Sequence, residues 1–308
     1  MPPRAGCARC IPGGSSSGDD RRAEHPSVGT LQLVATPIGN LDDVTPRALR
    51  ALGSADLLLA EDTRRTRVLL DRHGVKAKPV SLHAHNEAAR VERAVAVLEQ
   101  GGVVALVSDA GTPVISDPGE RLVAAAIAGR HRVTIVPGPS AVSSALAVSG
   151  LPPIPFTFAG FLPRAAGARD ALLEDLGRRR DTLVLFESPH RLVATLQRLA
   201  ALLGDRRACV ARELTKMHEE VVHGSLFELA EHYRDGVRGE VTLVVEGAPP
   251  AAQPASVEEL DAEILAGLSA GESSRELSQR LARESGLARR VVYARILALR
   301  DRGDEGGS

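Results

Sequence analysis

VSDAGTPVISDPG, Val107–Gly119, follows the apolar run Val103–Val107 and then packs two Gly, two Pro and two Asp into one short segment. Such a segment cannot continue as a strand or a helix. Gly111 and Gly119 allow backbone angles that other residues resist, while Pro113 and Pro118 fix theirs and remove amide donors. A loop stiffened in this way, just past a buried strand, sits where open α/β sheets place their ligands. The bland alternative is an ordinary tight connection. Against it stands the recurrence of the same grammar elsewhere in the chain.

Around that loop, strand-like and helix-like stretches alternate. Thr30–Gly39, Ala55–Asp62, Lys78–His85, Gly102–Asp109 and Arg132–Gly138 read as strands ending in loops. Helical stretches separate them: Pro46–Leu52, Thr63–His73, Asn86–Gln100 and Glu120–Ala128, with a fifth from Ser140 to near Gly150. This order predicts a parallel sheet covered by helices. Leu151–Pro155, LPPIP, breaks the pattern and marks a boundary. Beyond it come the strands Phe156–Leu162, Thr182–Ser188, Ala208–Thr215, Glu219–Leu226 and Glu240–Gly247. Helices are expected over Arg169–Arg178, Leu192–Leu203 and Leu226–Tyr233. The closer strand spacing there predicts a mixed sheet.

Ala248–Ser256 reads as a Pro/Ala linker. After it, helical spacing on both sides of Gly286 suggests a helix-turn-helix. Leu277, Leu281 and Ala282 are expected to pack one helix, and Val291, Val292, Ile296 and Leu297 the next. Arg280, Arg283, Arg289, Arg290, Arg295 and Arg300 make this end locally basic. They suit either phosphate contacts or a solvated helical hairpin. The expected organisation is a disordered leader over 1–28, α/β domains over 29–150 and 151–250, and a linker with small helical domain over 251–308.

Composition narrows the function. The chain has 308 residues, a formal net charge of -1 and no Trp. Its core must therefore be built from Ala, Leu and Val, and no global electrostatic grip on nucleic acid is indicated. No apolar stretch approaches the roughly 18–20 residues needed to span a bilayer. The leader lacks the apolar middle of a signal peptide, so a cytoplasmic location is expected. Cys7 and Cys10 form a CxxC without a second pair to complete a zinc site, and Cys209 in an apolar run reads as core. No metal is expected.

Three further loops share the opening grammar: Ala35–Leu49 with Pro37 and Gly39, Val136–Leu146 with Pro137, Gly138 and Pro139 ahead of Ser140, and Arg238–Gly247. Ser140 is a favourable helix N-cap. Several rigid loops at one sheet edge suggest a single extended ligand. None is a GxGxxG or GxxxxGK[ST] element, which argues against an ordinary dinucleotide or P-loop site.

ATPIGNLDDVTPRAL, LLLAEDTRRTRVLL, SLHAHNE, VSDAGTPVISDPG, VPGPSAV, FAGFLPR, FESPHR and RELTKMHEE, in this order, resemble the 16S rRNA cytidine-2′-O-methyltransferases of the tetrapyrrole-methylase-like superfamily. The resemblance spans roughly Thr30 to Gly247, and the tail is similar to that family's helical extension. It implies two α/β domains with S-adenosylmethionine in the cleft between them, a 16S rRNA or small-subunit substrate, and a homodimer. It implies cofactor contacts from Pro37 and Gly39, then Gly111, Thr112, Pro113 and Ile115, with Ser140 and Ala141 at the adenosine or methionine end. Leu162 and Glu240 would close the site. Tetrapyrrole-modifying relatives carry GDP where this chain has Gly111-Thr112-Pro113, so an Asp carboxylate is missing at Thr112. The rival readings are a tetrapyrrole methyltransferase on the same fold and a non-catalytic helix-turn-helix protein.

Methyl transfer from a sulfonium needs alignment above all, but a neutral 2′-hydroxyl is a poor nucleophile and a general base would help. Glu61 and Asp62 end a strand and point to opposite faces. Asp62 is the favoured candidate, with an N-cap role as its structural alternative. His83 and His85 lie on one side of a strand near Glu87 with no further metal ligand. His85, with Asn86, is assigned to the substrate, and it completes the catalytic candidates. Arg64, Arg191, Arg212 and Lys216, with Arg65 and the tail pair Arg289 and Arg290, are candidate RNA contacts.

Overall fold

The computed structural model describes residues 28–83, 86–249, 257–285 and 287–305, so His85, Cys7, Cys10 and most of the Ala248–Ser256 linker lie outside it. The first half alternates as the sequence predicts. Its elements are β1 (Thr30–Val34), α1 (Pro46–Ser54), β2 (Leu57–Ala60), α2 (Thr63–Arg72), β3 (Pro79–Ser81), α3 (Glu87–Glu99), β4 (Val103–Val107), α4 (Glu120–Ala128), β5 (Arg132–Val136) and α5 (Ala141–Val148). The five strands form one parallel sheet in the order β3-β2-β4-β1-β5. Both faces are covered, which explains the continuous apolar runs. In β2 and β4, Leu58, Ala60, Ala105 and Val107 pack on one side, and Leu57, Leu59, Val104 and Leu106 on the other.

The second half contains β6 (Phe156–Phe161), α6 (Ala166–Gly177), β7 (Thr182–Glu187), α7 (Leu192–Leu203), β8 (Arg207–Arg212), β9 (Glu220–Ser225), α8 (Leu226–His232) and β10 (Val241–Val245). Its sheet has the order β6-β7-β10-β8-β9 and is mixed: β6 and β7 are parallel, and the other pairs antiparallel. One face packs Leu183, Leu185, Val210 and Leu243 against α6, α7 and α8. The opposite face sets Val184, Cys209, Ala211 and Val244 against Ala145 and Leu146 of α5. The last helix of the first half thus serves as a wall for the second sheet. Burial pushes the Cys209 thiol up to about 11, so it stays protonated and inert.

The tail holds three described helices: α9 (Val257–Ser269), α10 (Ser274–Ser285) and α11 (Arg289–Glu305). The sequence reading anticipates only the last two. Leu260 and Ile264 of α9 complete a core with Leu277, Leu281, Val292 and Ile296. The assignment of Val291 and Leu297 to this core is corrected, because both are exposed. They fall outside the stripe marked by Val292 and Ile296, which are four apart on one helical face. No helix among the described residues is long and apolar enough to cross a membrane.

Candidate functional site

The loops at the C-terminal edge of the first sheet are sewn to one another. Thr36, just past β1, and Gly111, past β4, form an antiparallel bridge. The Thr36 amide donates to the Gly111 carbonyl at 2.9 Å, and the Gly111 amide returns the bond at 3.1 Å. The Thr36 hydroxyl donates to the Ser108 carbonyl at 3.3 Å. Val114 and Ser116 are held at φ 76° and 67°, left-handed conformations uncommon outside glycine and rarest for a β-branched residue such as Val114. This turn sends Val114 into the core beneath β4 and leaves Ile115 half exposed above it. Gly119, at φ 127°, ends the loop where any Cβ would lie 2.5 Å from Leu106 Cδ2.

Between this loop system and the second sheet lies a cleft of about 600 Å³, a size suited to a small-molecule ligand. Gly111, Thr112, Ile115, Ser140, Ala141 and Glu240, six of the residues assigned to the cofactor from sequence, line it. Pro37 and Gly39 line an adjoining pocket that shares Ile38, Arg65, Asp109, Ala110 and Glu240 with the cleft. Pro113 is buried in the loop. The Leu162 side chain does not join the lining: it is buried in the core of the second half, next in sequence to the cleft-lining Phe161. The strand β6 carries a register shift between Phe158 and Gly160, one extra residue that changes which side chains face out.

Gly39 explains how the halves meet. A Cβ there would lie 2.5 Å from Lys216 Cγ, 2.7 Å from Thr215 Oγ1 and 2.8 Å from the Leu214 carbonyl oxygen. The first loop therefore seats on the 213–216 loop with no room for a side chain. Lys216 closes that seat, its ammonium 2.7 Å from Glu213 and 3.0 Å from Glu240.

The acidic corner of the cleft separates the carboxylates by role. Asp62 is the N-cap of α2, accepting from the Arg64 amide at 2.8 Å, and its oxygens also pair with the Arg64 guanidinium at 2.6 Å. These contacts hold its carboxyl well below the usual range, which makes it a weak proton acceptor. Glu61 faces the cleft instead, and burial followed by the Asp109 charge pushes its carboxyl up. Asp117 also lines the cleft, and carries no assignment from sequence. Burial, reinforced by the Glu61 charge, pushes it up to about 6. Asp109 ties the corner together, accepting from the Asp62 amide at 2.9 Å while its own amide donates to Glu61 at 3.4 Å.

The remaining candidates scatter. Asn86 is engaged locally, accepting from the His83 amide at 2.9 Å and donating to the Ser81 carbonyl at 3.2 Å. Arg191 pairs with buried Glu187 at 2.6 Å, and Arg212 with Glu220 at 2.9 Å. Together with Lys216, these cations are committed to internal pairs, so a phosphate would have to compete for them. In the tail, Arg280 of α10 pairs with Glu272 in the preceding loop, and Arg295 of α11 with Asp261 of α9, tying those two helices together. Arg289 and Arg290 remain exposed.

Residues 30–230 match the family described as Tetrapyrrole (Corrin/Porphyrin) Methylases. A Mesorhizobium japonicum protein named ribosomal RNA small subunit methyltransferase I is 45% identical over 280 residues, covering 90% of this chain and 94% of its own. A Mycobacterium tuberculosis protein of the same name is 46% identical over 278 residues, covering 89% and 96%. Among solved structures, the cobalamin biosynthetic enzyme cobalt precorrin-4 methyltransferase is similar with a TM-score of 0.55 at 20% identity, covering 70% of this chain and 94% of that one. That likeness concerns the fold alone.

Proposed function

The chain belongs to the tetrapyrrole methylase family, and from that membership we propose that it is an S-adenosylmethionine-dependent methyltransferase acting on the 2′-hydroxyl of a cytidine in 16S rRNA of the small ribosomal subunit. The names of its near-full-length relatives support the substrate class. The observation that carries the chemistry is the pair of cleft carboxylates, Glu61 and Asp117, both raised from their ordinary range.

The cleft's groups fit the cofactor. Ile38, Val142 and Leu214 offer apolar surface to an adenine. Ser140 occupies the N-cap of α5 without using its side chain as a cap, so its hydroxyl and the first-turn amides are available to a carboxylate. Glu61, Asp109 and Asp117 supply negative charge to balance a sulfonium. A Cβ at Gly111 would lie 3.5 Å from Ile38 and narrow the cleft. Bound S-adenosylmethionine supplies an electrophilic methyl group. The protein's own part is to align the ribose with that methyl and to accept the hydroxyl proton. Asp117 takes the role of general base, with Glu61 raising its proton affinity toward neutral pH.

Exposed Arg289 and Arg290, and Arg64 in competition with its Asp62 pair, meet RNA phosphates, and the tail anchors the enzyme to its particle. A homodimer working in the cytoplasm, where small subunits assemble, completes the reading. The test is to incubate the protein with unmodified small subunits and labelled cofactor, then map the label. Label on a cytidine 2′-oxygen is expected; label on a tetrapyrrole and none on RNA refutes the substrate.

A further inference from the structure

The chain has five Phe and no Trp, and its cores are built almost wholly of Leu, Val and Ala. Four of those five Phe nevertheless line the one cleft: Phe156, Phe158, Phe161 and Phe186. The bulge in β6 adds Phe161 to the other three. Along a regular strand, Phe156 and Phe158 share a face and Phe161 takes the other. The extra residue at Ala159 restores Phe161 to the first face, pairing Phe156, Phe158 and Phe161 with Thr182, Val184 and Phe186 in turn. Ala159 packs into the core behind.

The result is an aromatic wall in which Phe186 touches both Phe158 and Phe161, with Phe156 on the same face of β6. The Phe158 and Phe186 rings meet edge to face at 4.9 Å, and the Phe161 and Phe186 rings lie 5.5 Å apart. Phe161 remains 56% exposed and Phe156 44% exposed, so the wall is not filled by the protein itself. It also abuts the acidic corner. Gly160, at φ 64°, sits where a Cβ would be 3.2 Å from Ser116 Oγ, and Ser116 precedes Asp117.

We propose that this bulge-built wall, led by Phe161 and Phe156, stacks the unstacked pyrimidine whose ribose is methylated. Stacking on aromatic faces is how proteins hold single-stranded bases without reading them by charge. That suits a chain of net charge -1 whose cleft-lining arginine, Arg65, already faces Asp109 at 3.6 Å. The placement hands the base to the wall and the ribose to Asp117. The inference rests on RNA being the substrate.

The test compares Phe161→Ala, Phe161→Leu and Phe161→Tyr in the full chain. Three readouts are taken: methyl transfer to small subunits, S-adenosylmethionine affinity by calorimetry, and sedimentation. Phe161→Ala should lower kcat/KM for the particle about ten- to hundred-fold, with cofactor affinity and association state unchanged. Tyr should restore transfer and Leu should not. Full rescue by Leu would make the wall plain apolar packing. A parallel loss of cofactor affinity would assign it to the cofactor, and a change in association state would make it a subunit contact; each overturns the proposal. If the wild-type protein labels RNA and Phe161→Ala does so equally well, only this inference fails. If the wild-type protein labels no RNA, the proposed function itself fails.

Discussion

Replacing Asp117 by Asn tests the site through two opposed effects. An ordinary Asp carboxyl titrates near 3.8, and in this cleft Asp117 is raised to about 6 by burial and by the Glu61 charge. Below 3.8 the group is protonated whether the chain is folded or not, so its placement costs nothing. Between 3.8 and 6 the unfolded chain ionises and the folded one resists, and above 6 the full cost is present. At about 1.4 kcal/mol per pH unit the ceiling is about 3 kcal/mol. Solvent reaching the half-buried group reduces this to about 1–2 kcal/mol. Asp117→Asn should therefore raise the melting temperature at pH 8 by about 2–8 °C and leave it unchanged at pH 3. The same variant should lose about 10²–10⁴-fold in kcat. The wild-type rate should climb with pH to a plateau above about 6. Thermal melts across pH, alongside single-turnover methylation of small subunits, give both numbers. Undiminished kcat in Asp117→Asn, or equal melting temperatures at pH 8, would refute the reasoning.

Neighbouring groups give further checks. Glu61→Gln removes a negative charge beside Asp117 and should shift the acidic limb of the rate profile to lower pH. An unmoved limb would uncouple the two carboxylates. Asp62→Ala deletes the α2 cap and should cost about 1 kcal/mol in urea unfolding while leaving kcat within about twofold, since the proposed base is Asp117; a collapse of kcat would return Asp62 to the chemistry. Gly119→Ala meets both a left-handed φ and Leu106, and should destabilise by about 2–4 kcal/mol, as read by the urea midpoint. Truncation after Ala255 removes a tail whose core is its own. It should weaken particle binding and spare cofactor affinity in calorimetry and filter-binding assays.

Most of the architecture was legible because periodicity and punctuation agree. Apolar runs buried on both faces announced the parallel sheet, and the Pro- and Gly-bearing loops announced its functional edge. What failed to show were features fixed by tertiary geometry. One residue of bulge at Ala159 reverses the facing of Phe161, and strand alternation alone assigns it to the wrong side. Leu162, next in sequence, is core for the same reason of local facing. Asp62 and Glu61 were separable only as opposite faces; the Arg64 pairing that lowers the proton affinity of Asp62 depends on how α2 begins. Asp117 carried no assignment from sequence, because its burial beside Glu61 is a long-range fact. The helix α9 was hidden next to a Pro-rich stretch, although Leu260 and Ile264 show helical spacing.

The bridge between Thr36 and Gly111 also bears on the order of assembly. The Thr36 hydroxyl bond to Ser108 spans 72 positions of chain, and the finished cleft draws on residues from Ile38 to Thr242. Contacts of such high sequence separation form late, after local elements have condensed. A chain that stops short of Thr242 therefore lacks part of the cleft lining. Ligand present in the cell stabilises only the completed fold, and acts as a selective brake on unfolding rather than as a template for folding.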